Sequence, residues 1–253
     1  MRKITALMLS FLLTVSLAAC SGSASNEGDS QGAGSAAEEA PKTEPSQTGD
    51  DEGISGTDGD SSAAEESPER NILIAYFTYG ENAGLSSDAD ASSSASIQIF
   101  DGEVTGNTGV MAHMIAESSG GELFSIRTAE PYPDNYNDTI DVGESEKDNN
   151  IHPELSTHIE NLEQYNTVFV GFPNWWYGMP MVMYSFFEEY DFSGKTVIPF
   201  CTSGGSAFSD AIDEIKDMEP DATVLDGLHI SGSSVNDAKD SVDEWVNGLG
   251  LSK

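Results

Sequence analysis

The chain has 253 residues, of which 44 are Asp or Glu and ten are Lys or Arg, a formal net charge of −34. That balance excludes nucleic-acid binding by phosphate neutralisation, which needs clustered cations, and it repels an anionic bilayer surface, so membrane attachment must be hydrophobic or covalent. Two cysteines cannot form a disulfide framework and no CxxC or zinc-finger spacing occurs, so redox chemistry would need a borrowed cofactor.

Arg2 and Lys3 precede an apolar run from Ile4 to Leu17, and Leu17-Ala18-Ala19-Cys20 closes it with small residues before a cysteine. This is the layout of an export signal, and the run is shorter than the roughly 20 residues of a spanning helix. Leu17 to Cys20 resembles the lipobox of bacterial lipoproteins. The resemblance implies that residues 1–19 are removed and that the Cys20 thiol carries lipid, which would anchor the chain on the outer face of the cytoplasmic membrane. Residues 20–70 hold 13 acidic side chains, no aromatic residue and Ile54 as the one large aliphatic. They cannot build a core and read as an acidic tether.

From Asn71 onward short β-rich runs alternate with helical patterns, the texture of an α/β domain with a parallel sheet. The expected strands are 71–77, 122–126, 167–172, 196–201 and 223–230. Val110, Met111, Met114 and Ile115 mark a helix that Gly120 and Gly121 end. Pro180 opens a second, running through Met183 and Phe187. Phe208, Ala211, Ile212, Ile215 and Met218 mark a third, and Val235 to Leu249 a fourth. Right-handed crossovers assemble five such strands into a doubly wound sheet with helices on both faces. Its ligand site is expected at the carboxyl ends of the strands.

Three segments that follow strands carry the candidate chemistry. Thr78, after a long excursion, is succeeded by Thr105-Gly106-Asn107-Thr108-Gly109, hydroxyls and backbone N–H groups at a helix start that suit a phosphate monoester without any cation. Pro173-Asn174-Trp175-Trp176-Tyr177-Gly178 offers aromatic surface for a large flat ligand. Thr202-Ser203-Gly204-Gly205 is the glycine-rich third edge. Gly194-Lys195-Thr196 lacks an upstream P-loop glycine and precedes a strand, so it is no nucleotide site.

These segments resemble the flavodoxin family, in particular the flavodoxin-like domains of exported bacterial lipoproteins. The resemblance rests on Ile72 to Thr78, Thr105 to Thr108, Gly171 to Tyr177, Asp191 to Thr196 and Pro199 to Gly205, with Glu130 to Pro133 and Tyr136, and covers nearly all of 71–253. It implies a five-stranded parallel sheet of order 2-1-3-4-5 and noncovalent FMN. The phosphate would lie on Thr105 to Thr108 aided by Thr78, the isoalloxazine against Trp175, Trp176 or Tyr177, and the Thr202 to Gly205 loop at its other edge. Gly178 would allow a backbone peptide to reorient toward the flavin. Residues 79–104 depart from compact members as an insert, in which Ile97 to Gly102 suggests a small hairpin.

The function so implied is electron transfer by a membrane-anchored FMN protein. With 31 acidic and six basic side chains in 71–253, a net of −25, reduced flavin is electrostatically disfavoured and a basic redox partner is favoured. The rivals are a flavin-dependent NAD(P)H:quinone-type reductase and a surface binding module that has lost its flavin. A serine hydrolase using Ser203 and His229 lacks the GxSxG elbow. Cys201 reads as a buried strand cysteine, and His113, His152, His158 and His229 share no metal-ligand spacing.

Overall fold

The computed structural model describes residues 71–85 and 96–253. The export signal, Cys20, the acidic tether and residues 86–95 of the insert lie outside the described residues. Elements in chain order are β1 (Ile72–Tyr76), α1 (Tyr79–Asn82), β2 (Ile97–Phe100), β3 (Glu103–Gly106), α2 (Asn107–Ser119), β4 (Glu122–Ser125), α3 (Tyr136–Asn149), β5 (Thr167–Pro173), α4 (Met181–Glu189), β6 (Thr196–Ser203), α5 (Ala211–Met218), β7 (Thr223–Val224), β8 (Leu228–Ser231) and α6 (Lys239–Gly248).

The main sheet runs β4-β1-β5-β6-β7, with β8 also on β6, and all its pairings are parallel. Counting β7 and β8 as one interrupted edge gives the expected 2-1-3-4-5 order. The single strand expected over 223–230 is broken because β6 advances two residues, Ile198 and Pro199, where the edge uses three, Leu225 to Gly227. Pro199 has no N–H to give the ladder, so the interruption falls where pairing is weakest.

Period-two alternation in the strands builds two cores. Leu73, Ala75, Phe77, Val168, Val170 and Phe172 face α4 and α5 residues such as Val182, Met183, Phe186 and Ile215. Ile72, Ile74, Tyr76, Phe169, Ile198 and Phe200 face Met111, Ile115, Val242 and Val246 of α2 and α6. Each large apolar side chain so buried contributes roughly 1.5–3 kcal/mol, so helices cover both faces because both faces of every central strand are apolar. Gly120 ends α2 in the left-handed region at φ 75°, the conformation that favours glycine there.

The insert forms the antiparallel β2–β3 hairpin, with Asp101 and Gly102 at φ 49° and 85° as its two turn residues. Its returning strand carries Thr105 and Gly106 straight into α2. A Cβ at Gly106 would lie 2.2 Å from Thr78 Oγ1, so the two ends of the insert meet at the carboxyl edge of β1.

Candidate functional site: a neutral cavity at the carboxyl edge of the sheet

Loops after β1, β5, β6 and β8 enclose a cavity of about 410 Å³ lined by Thr78, Tyr79, Ser96, Asn107, Thr108, Tyr136, Pro173, Asn174, Trp175, Thr202, Ser203, Gly204, Ser231, Gly232 and Ser233. An adjoining cavity of about 270 Å³ shares Tyr79, Ser96, Tyr136, Asn174 and Trp175 and adds Thr139, Ile140 and Trp176. These sizes fall in or near the range of small-molecule sites. Among the described residues, none in the wall of either cavity is Asp, Glu, Lys or Arg, although the chain is so acidic. The donors that these described walls offer to an anion are neutral.

The phosphate-like corner lies at the start of α2. Thr108 and Thr202 are buried, and their hydroxyl oxygens lie 2.8 Å apart. Each hydroxyl has one hydrogen, so the pair consumes one and leaves the other to be directed at a ligand. Thr78 is buried against Gly106. Asn107 is turned into local structure: its N–H donates to the Ser96 carbonyl and its Oδ1 accepts from Gln98 Nε2 at 2.7 Å. Thr105 lies apart from the cavity wall. Its hydroxyl donates to Glu81 Oε1 at 2.6 Å.

The aromatic segment divides. Trp175 is partly buried, meeting Phe77 and Tyr132 edge to face at centroid distances of 5.5 and 5.2 Å, so it is both cavity wall and core. Trp176 and Tyr177 form a tight turn closed by hydrogen bonds between Trp175 and Gly178 in both directions. Both turn residues are left-handed, at φ 51° and 63°, a conformation costing bulky side chains about 1–2 kcal/mol each. Lys147 of α3 supports the turn by donating to the Trp176 carbonyl at 2.5 Å. Tyr177, 74% exposed, is not among the described wall residues of either cavity. Gly178 keeps a negative φ and its N–H and carbonyl are committed to the turn; the unusual conformations fall on its two predecessors instead.

In the glycine-rich loop, Ser203 and Gly204 line the cavity and Gly205, at φ 143°, lies behind them. Ser203 Oγ accepts from the N–H groups of Gly205 at 3.1 Å and Ala207 at 3.0 Å and lies 2.8 Å from His229 Nε2. The serine and histidine thus meet, yet both oxygen lone pairs are occupied, which is the wrong state for a nucleophile. Burial pushes the His229 pKa below its ordinary value.

Cys201 is wholly buried, and burial pushes its thiol pKa up to about 12. It is expected to resist thiol-modifying reagents in the native chain and to react only on denaturation; modification at the native rate of a free thiol would contradict this. His113 stacks on Phe100, while His152 and His158 pair with Glu188 and Glu189 at 2.9 and 2.7 Å. Among the described residues no group of three His, Cys, Asp or Glu side chains could hold a metal ion.

Several wall residues escaped the sequence reading. Ser231, Gly232 and Ser233 follow the edge strand, so asking what succeeds each strand would have found them. Tyr79 lies in the insert's first turn, and Thr139 and Ile140 belong to α3, a helix with no clear apolar stripe.

A flavodoxin family model matches residues 97–249. Flavodoxin 1 of Shigella flexneri is 29% identical over 150 residues, covering 53% of this chain and 71% of its own length. Two solved structures, candidate flavoproteins of Bacteroides eggerthii and Bacteroides uniformis, give TM-scores of 0.55 and 0.54. They are 24% and 27% identical, over 72% and 70% of this chain and 99% and 97% of theirs. With a parallel α/β sheet and a loop-built cavity at its carboxyl edge, the chain belongs to the flavodoxin family.

Proposed function

We propose that the cavity holds FMN noncovalently and that the protein is an electron carrier anchored outside the cytoplasmic membrane through lipid on Cys20. The observation that carries the flavin reading is the pairing of neutral hydroxyls at the start of α2 with an aromatic wall in one cavity whose described walls are uncharged. Thr78, Thr108 and Thr202, with the N–H groups of the first α2 turn after Asn107, would hold the phosphate. Trp175 and Trp176 would face the ring system, and Ser203 and Gly204 would border it. FMN supplies one- and two-electron redox chemistry; the chain's residues orient it and set its surroundings. Anchoring rests on Leu17 to Cys20 alone, and a basic partner on the net charge of −25 across 71–253.

The test is the visible spectrum of the purified full chain after FMN addition and desalting. Flavin bands retained at one per chain are the expected result, and spectroelectrochemistry should then give a midpoint potential below that of free FMN. Absence of flavin bands would turn the reading to a binding module using Trp176, Tyr177 and Tyr136, which are exposed. Steady NAD(P)H oxidation by the loaded protein would instead favour the reductase.

A further inference from the structure

The hydrogen-bond arithmetic at Ser203 fixes the state of a histidine that the flavin reading leaves unused. A serine hydroxyl has one hydrogen and two lone pairs. The N–H groups of Gly205 and Ala207 take the lone pairs, so the hydrogen goes to His229 Nε2, 2.8 Å away. His229 Nε2 must then be an acceptor, with the ring hydrogen on Nδ1.

The loop held this way needs holding. Gly205, Ala207 and Ser209 all have positive φ, at 143°, 49° and 50°, and such conformations persist only where surrounding bonds over-determine them. The loop also supports the aromatic wall: the Ala207 carbonyl accepts from Asn174 Nδ2 at 2.9 Å, and the Asn174 N–H donates to the Thr202 carbonyl at 2.9 Å. His229 belongs to β8 and pairs in register with Cys201, while Ser231 two residues on pairs with Ser203. One imidazole therefore ties together the loops after β6 and β8, both of which line the cavity.

We propose that His229 is a positioning residue, a neutral latch that fixes the Thr202 to Ala207 loop through Ser203 and releases it on protonation. The group bonded to its ring is the neutral Ser203 hydroxyl, and its register partner on β6 is Cys201, whose thiol stays protonated. Asp226 before β8 and Asp237 in the turn after it do not contribute to its shift, whose one cause is burial. The folded-state pKa is thus depressed, so the latch is complete above the ordinary histidine value near 6.5 and is lost as pH falls through the lower folded value. Imidazolium Nε2 becomes a donor facing an oxygen whose lone pairs are occupied, and Ser203 must surrender one of its N–H partners. The consequence for flavin rests on the FMN reading; the consequence for the loop does not.

Nitrogen NMR of the full chain, without flavin, tests the latch directly. His229 is expected as the Nδ1–H tautomer, with amide exchange at Gly205 and Ala207, corrected for its intrinsic pH dependence, about tenfold faster below the His229 titration than above it. His229→Gln, which offers a carbonyl acceptor at every pH, should abolish the pH step. Ser203→Ala should exchange fast throughout. A hydrogen on Nε2, or protection that ignores the titration, would overturn the latch. FMN titration near pH 7.5 and at a pH below the His229 titration found by NMR then reads its consequence: about tenfold weaker binding at the lower pH in the native chain and no such difference in His229→Gln. Equal pH dependence in both would also overturn it, whereas a latch seen by NMR in a chain that takes no FMN would sink the flavin reading alone.

Discussion

Thr108→Val/Thr202→Val is expected to lower FMN affinity about 100-fold while leaving the fold and its stability nearly unchanged. Valine matches threonine in shape, and removing both partners of a buried hydrogen bond is far less costly than removing one. The two hydroxyls lie 2.8 Å apart and are almost inaccessible, so neither is left facing the other unpaired. What disappears is the donor that the pair directs into the cavity. A hydrogen bond to a charged acceptor contributes roughly 1.5–3 kcal/mol, and the phosphate would meet a methyl group in its place. Among the described residues no lysine or arginine lines the cavity to compensate. Fluorescence titration of FMN, with urea unfolding of the same variant, separates the two effects. Unchanged affinity would remove the phosphate from this corner. The double variant Trp175→Ala/Trp176→Ala is a poorer probe, since Trp175 packs on Phe77 and Tyr132 and its truncation is expected to cost about 3–5 kcal/mol of core packing.

Strands of continuous apolar character made the sheet legible, because a strand buried on both faces has no other pattern available. The loops after β1, β5 and β6 followed from the rule that ligands gather at the carboxyl edge. Helix α3 was not legible by periodicity: only Thr139 and Gly143 of its 14 residues are buried. It packs there with Gly143 beside the Trp175 indole, where a Cβ would lie in ordinary contact at 3.4 Å. Its start was written instead in the cap, where Asn135 Oδ1 accepts from the Asp138 N–H. Thr105 illustrates a contact that the local pattern does not announce. Its position in a threonine- and glycine-rich segment suggests a ligand, but strand β3 turns its side chain toward Glu81, and no local pattern announces a partner 24 residues earlier.

Glu81 is the second place where a large effect is expected. Its side chain is only 8% exposed, and its carboxylate accepts from Tyr76 at 3.1 Å, Thr105 at 2.6 Å, Ser125 at 2.5 Å and Arg127 at 3.2 Å. One carboxylate thereby joins β1, the returning strand of the insert, β4 and the segment after it. The ion pair itself contributes little, because Arg127 is 46% exposed and solvent screens it. The hydroxyls dominate: burial, followed by the adjacent Glu81 charge, pushes the Tyr76 pKa well above its ordinary value, so that phenol stays a donor to the carboxylate. Glu81→Ala would strand these donors together, with an expected loss of about 3–5 kcal/mol in urea unfolding at pH 7. Glu81→Gln should cost less, about 1–3 kcal/mol, since its carbonyl still accepts while its amide opposes the remaining hydroxyls. Thr105→Val, which removes one donor and leaves the carboxylate three, should cost least, about 1 kcal/mol. That ordering distinguishes a hub from a set of independent contacts: if Glu81→Ala cost no more than Thr105→Val, the joining of the insert to the sheet would have to lie elsewhere, in the backbone contact between Gly80 and Thr105, where a Cβ would meet the Thr105 carbonyl at 1.8 Å.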